Sequence, residues 1–177
     1  MSGGGPDRLT QLVQVYRNSI KDAKPVSRVV RDKVSISMLA ICSESRQKAQ
    51  ERGAVILDWY RHQQNIRDVR VWQEQDSTTV PDDYQWHYQR STASDLPKRD
   101  NASSLDLIKS GRYCIGNPDD CLRYLEQYSP TGVDEIMPLF QIGHITHQEV
   151  METLRLFGKY IIPKLTKQGQ TTKDAVG

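Results

Sequence analysis

The stretch from Ile115 to Leu165 constrains this chain more than any other, because its punctuation defines a helix, a short apolar strand and a second helix. Asn117 is a good N-cap, Pro118 suits the first helical position, and Asp119 and Asp120 complement the positive end of the helix dipole. Cys121, Leu122, Leu125 and Tyr128 recur at helical spacing, and Ser129, Pro130 and Gly132 stop the helix. Val133–Phe140 is short and mostly apolar, the pattern of a strand buried on both faces, although Pro138 inside it removes a ladder donor. Thr146 and Glu149 then make a Thr-x-x-Glu capping box. Val150, Leu154, Phe157 and Ile161 share one stripe of the helix it opens, and Pro163 is expected to end it. Helix, buried strand, helix is the repeating unit of a parallel α/β fold.

Upstream, Pro6 and Asp7 open a first helix whose buried face is expected at Leu9, Leu12, Val13, Tyr16 and Ile20. Val34–Cys42 reads as a strand, with Val34, Ile36 and Met38 alternating with Ser35 and Ser37 before an apolar end. Ser43 is the expected N-cap of a helix running to about His62. Gly53 inside that helix costs roughly 1 kcal/mol relative to alanine, which points to close packing against a neighbour. From Gln63 to Asn101 large aliphatic residues are few, so a poorly ordered insertion is expected. A short helix over Ser104–Ser110, ended by Gly111, returns the chain to the stretch that begins at Ile115.

The balance of 24 basic and 22 acidic residues leaves a net charge of +2, too weak a field to steer nucleic acid. The basic clusters Arg28, Arg31, Lys33 and Arg61, Arg67, Arg70 are each interrupted by an aspartate and read as solvated faces. No apolar run approaches the ~20 residues of a membrane span. The first residues also lack the apolar core of a signal peptide, so a cytoplasmic protein is expected. Cys42, Cys114 and Cys121 have neither C-x-x-C nor zinc-ligand spacing and read as reduced thiols. There is no G-x-G-x-x-G and no G-x-x-x-x-G-K-[ST] phosphate loop.

Gly116-Asn117-Pro118-Asp119-Asp120, then Gly132-Val133-Asp134-Glu135, Arg155-Leu156-Phe157-Gly158 and Ile161-Ile162-Pro163 resemble the C-terminal end of luciferase-like flavin-dependent monooxygenases. Two departures stand out: Pro138 within the strand, and His144 where a small residue is expected. The family's scaffold is a TIM barrel, which needs eight βα units and roughly 250 residues. The resemblance therefore implies one α/β domain over 1–177, the C-terminal part of a TIM (β/α)8 barrel with a long insertion at 63–101, an incomplete barrel. The best match covers 115–165. Val34–Cys42 would be strand seven and Val133–Phe140 strand eight. Ser43–Gly116 would be an excursion rooted at the catalytic face.

The same resemblance implies reduced FMN (alternatively the deazaflavin F420), O2 and a small organic substrate, with a flavin reductase as partner. Unpaired strands in an incomplete barrel imply self-association or a homo-oligomer. Most of the family's flavin contacts precede anything encoded here, so no catalytic residue is assigned and the chain alone is expected to be inactive. Gln141 and His144 follow strand eight and would lie nearest flavin or substrate; the other reading is a polar loop around the Gly143 turn. Trp72, Tyr84, Trp86 and Tyr88 would form a substrate lid, or else cover a neighbouring element. His147 and Glu149 lie two residues apart at a helix start and point in different directions, so no metal is expected. The functional alternatives are a non-catalytic interaction or assembly module and an unrelated helix-rich α/β binding domain.

Overall fold

The alternation in Ser35–Cys42 becomes the central strand, β1, of a three-stranded parallel sheet of order β2-β1-β3. This computed structural model describes residues 5–29, 31–65, 76–92 and 102–166. Strand β2 (Cys114–Gly116) pairs with Ala40–Cys42, and β3 (Glu135–Leu139) pairs with Ser35–Leu39. The two strands expected from sequence are therefore parallel neighbours, and β2 is an additional one. The result is an α/β fold built on an open sheet among the described residues.

Helices cover both faces of the sheet. Ile36, Met38, Ala40 and Cys42 face α5 (Pro118–Glu126), α6 (His147–Leu156) and a π-helical turn at Phe157–Ile161. Leu9 of α1 (Gly5–Ser19) adds to that layer. Ile41 faces α2 (Arg46–Asn65) and α4 (Ser104–Lys109) through Ile56, Leu57 and Ile108. A short helix, α3 (Gln85–Thr92), follows two 3-10 turns at Ser77–Thr79 and Asp82–Tyr84. Gly53 has the reason expected of it: a Cβ there would collide with the Ile115 side chain on β2.

Five expectations are corrected. β3 is not buried on both faces. Ile136, Pro138 and Phe140 turn toward the α5 layer, while Met137 and Leu139 remain 52% and 43% exposed, because β3 is an edge strand with its other face uncovered. Pro138 costs no bond to β1. Glu135 donates to the Val34 carbonyl, so alternation turns the backbone of residues 136, 138 and 140 to the free edge, where proline is tolerated. Pro163 does not end the last helix, since 162–166 is helical. In the π turn the Ile162 N–H reaches back five residues to the Phe157 carbonyl, which opens the backbone just where a proline ring would meet the carbonyl four residues earlier. Ser45, not Ser43, caps α2, accepting from the Lys48 N–H at 3.3 Å. On α1, Leu12 is 55% exposed, and of the expected face only Val13 is fully buried.

The amino ends of the strands hold ion pairs. Arg17 bridges Asp32 and Asp134, while Glu135 receives Arg31 at 2.7 Å, Lys33 at 3.6 Å and the Ser35 hydroxyl. Arg31 and Lys33 of the first basic cluster are thus engaged within the fold.

Candidate functional site at the carboxyl ends of the strands

In an open parallel sheet, ligands bind outside the carboxyl ends of the strands where the strand order reverses. Here the chain steps from β1 to β2 and then crosses back to β3 on the far side of β1, so the reversal lies between β1 and β3. The residues at that point are Ser43, the loop 141–146 and the first turns of α6.

Ser43 is 1% exposed and its hydroxyl donates to Glu152 Oε1 at 2.5 Å. Lys48 and Arg52, one turn apart on α2, reach Glu152 at 3.7 and 3.6 Å, and Arg52 Nε reaches Glu149 at 2.7 Å. Glu149 also receives the Thr146 backbone N–H at 2.8 Å, completing the capping box expected from sequence. Burial pushes both glutamates up, but the donors and cations around them prevail and hold both below the ordinary carboxylate range. The Arg52 side chain is nine-tenths buried, and its Nη1 has no hydrogen-bond partner among the described residues.

The loop after β3 is pinned to α2. Gly143 adopts φ +59°, and a Cβ there would stand 2.7 Å from the Trp59 ring. The His144 ring meets Trp59 edge-on, with centroids 5.7 Å apart. Gln141 and His144, the residues expected at a barrel mouth, follow the end of β3 and are exposed. The sequence reading missed Trp59. Its signal was positional, since Lys48, Arg52 and Trp59 recur at four and seven residues along one helix face.

Tyr84 and Trp86, at 52% and 59% exposed, and the half-buried Tyr88 lie on α3 and the turn before it. Trp72 lies outside the described residues. At the next strand end, the Asn117 cap and Asp120 exchange hydrogen bonds, and Arg46 of α2 forks onto the Asp120 carboxylate at 2.7 and 2.9 Å. Burial raises Asp120, while the Arg46 and Asn117 hydrogen bonds outweigh it and leave the carboxyl below its usual value. That helix start is filled by its own acid and offers no room for a phosphate.

Cys42, Cys114 and Cys121 are free, fully buried and gathered between β1, β2 and α5. Cys121 donates to the Ile41 carbonyl and Cys114 to the Cys121 carbonyl. Contact with Cys121 and burial push the Cys42 thiol far up. Cys121 is raised chiefly by Cys114, so neither is a ready nucleophile. Among the described residues no three His, Cys, Asp or Glu side chains are grouped to hold a metal ion. No described helix is long and apolar enough to cross a membrane.

No family model and no curated protein matches the chain. Its structure is similar to that of the monooxygenase RslO1 from Streptomyces bottropensis, with a TM-score of 0.54 and 16% identity. The match covers 92% of this chain and 39% of that one, so this chain spans about two fifths of the neighbour's length. At that identity the likeness concerns the fold.

Proposed function

We propose that this chain is the C-terminal portion of a luciferase-like, flavin-dependent monooxygenase that oxidises a small organic substrate. The observation that carries the reading is the fold likeness to a monooxygenase over nearly the whole chain, with a pinned polar loop at the strand ends where such a fold works. FMN is the proposed cofactor and F420 the alternative. In this reading two exposed polar residues would meet one edge of the flavin. Exposed Gln141 offers an amide donor and acceptor to a polar ring edge, and His144, held against Trp59, offers a ring nitrogen. The Asp120-filled helix start does not serve the phosphate in this reading. Bound reduced flavin supplies the electrons that activate O2. The protein's own part is to orient the ring, exclude water and admit substrate. Tyr84, Trp86 and Tyr88, with Trp72, are proposed as the lid that does the last two.

A second reading, a non-catalytic assembly module, is favoured by the exposed apolar pair Met137 and Leu139 on the edge strand. The test expresses the 177-residue chain and a product extended by the coding sequence upstream, and titrates each with FMN by fluorescence quenching. Flavin binding and oxygen uptake confined to the longer product, and weakened by Gln141→Ala and His144→Ala, support the enzyme reading. A longer product that assembles but neither quenches FMN nor consumes oxygen with reduced FMN or F420 sinks it and leaves the module.

A further inference from the structure

On the α5 side of the sheet, beside the free edge of β3, lies a cavity of about 180 Å³. Its floor is Leu125, Phe157 and Ile161, each at most 3% exposed. Ile136, Pro138 and Phe140 of β3 and its end form one wall. Ile162 and Leu165 stand at the rim, with Ile162 55% exposed. We propose that this cavity is a binding site for a small uncharged apolar molecule, about the size of toluene, separate from the polar loop at the strand ends.

Three observations fix the occupant. The lining is made of apolar residues and offers a guest no hydrogen-bond partner, which favours an uncharged apolar occupant; an apolar cavity of ~150 Å³ takes up benzene. An irregular helix builds its floor: the π turn supplies Phe157 and Ile161, and such turns occur frequently at functional sites. The Phe140 and Phe157 rings, 4.8 Å apart and edge-to-face, present an aromatic corner suited to another ring. A peptide strand is the competing occupant, but Pro138 removes the middle donor from the outer edge of β3, which breaks the ladder such a strand would need.

The test titrates the full chain with toluene and follows isoleucine and leucine methyl resonances, with phenol as the polar ring of similar size. Saturable shifts are expected at Leu125, Ile136, Ile161, Ile162 and Leu165, with phenol weaker by about tenfold or more. Ile162→Trp, at the exposed rim, should fill the mouth and abolish the toluene shifts while leaving the melting temperature close to that of the parent. Leu125→Phe should do the same from the floor, if it folds. Shifts that never saturate, or that persist in Ile162→Trp, overturn the proposal. So does an absence of toluene shifts with lining resonances that depend on protein concentration, because a second copy would then occupy the groove.

Discussion

Thr153 Oγ1 donates to the Cys42 carbonyl at 3.0 Å and accepts from the Cys42 N–H at 3.1 Å, both inside the core. The even-numbered residues of β1 turn their backbone toward β3, yet β3 ends opposite Leu39, three residues short of Cys42. One hydroxyl on α6 therefore takes over both bonds that the departing strand leaves open, and it fixes α6 over the strand ends that carry the candidate site.

Thr153→Val should leave that donor and acceptor buried without partners. An unsatisfied buried group costs about 1–3 kcal/mol, so a loss of roughly 2–4 kcal/mol is expected. Thr153→Ser should keep most of the stability. Urea unfolding measures both, and a valine variant as stable as the serine one would show that Cys42 finds other partners.

Gly143 should resist alanine for two reasons, its left-handed backbone and its contact with Trp59. Gly143→Ala should cost roughly 1–2 kcal/mol. Adding Trp59→Phe should make the pair non-additive, because the second change relieves the steric part. Strict additivity would mean that the loop does not rest on Trp59.

What could be read from the chain beforehand was what a few consecutive residues decide. The Asn117 and Thr146 caps each depend on four neighbours in sequence, and both formed as capping boxes. Gly53 was legible because its cost inside a helix called for a packing reason. The three-residue strand β2 was too short for any period to register and was absorbed into the lead-in to α5. Met137 looked like core because an apolar run reads the same on a covered and an uncovered face; which face is covered depends on helices far away in sequence. The π turn, the Thr153 bonds, the Trp59 contact and the meeting of the three thiols are likewise tertiary events. Of the residues at these strand ends, the placement of Gln141 and His144 was legible because they follow a strand, whereas that of Trp59, Ser43 and Arg52 was not.

Asp120, Glu149 and Glu152 all have folded pKa values below the ordinary ones. Their contribution is therefore full above the unfolded carboxylate range of about 3.9–4.3 and is lost as pH falls through the depressed folded values. Stability should decline with acid through that window. Arg46→Gln removes the fork on Asp120, so its penalty should be full from neutrality down to about pH 5 and shrink as pH is lowered further through about 4 and below. A penalty that does not change with pH would separate Arg46 from Asp120.

The two faces of β3 give the sharpest test of the sheet as described here. Ile136 packs with the core beneath α5, while its neighbour Met137 points out and is half exposed. An aspartate at 136 would place an unpaired charge against Leu125 and Phe157, costing several kcal/mol, comparable with the stability of a whole domain. Ile136→Asp should therefore abolish soluble expression of the chain. Met137→Asp should leave the chain folded, with a melting temperature near that of the parent, because the charge stays in water. It should also reduce self-association if the uncovered face drives that. If the longer monooxygenase reading holds, Met137→Asp in the extended product should instead be as damaging as Ile136→Asp, since the added chain would cover this face. Equal tolerance of both substitutions in the 177-residue chain would show that β3 is not packed as the structure has it.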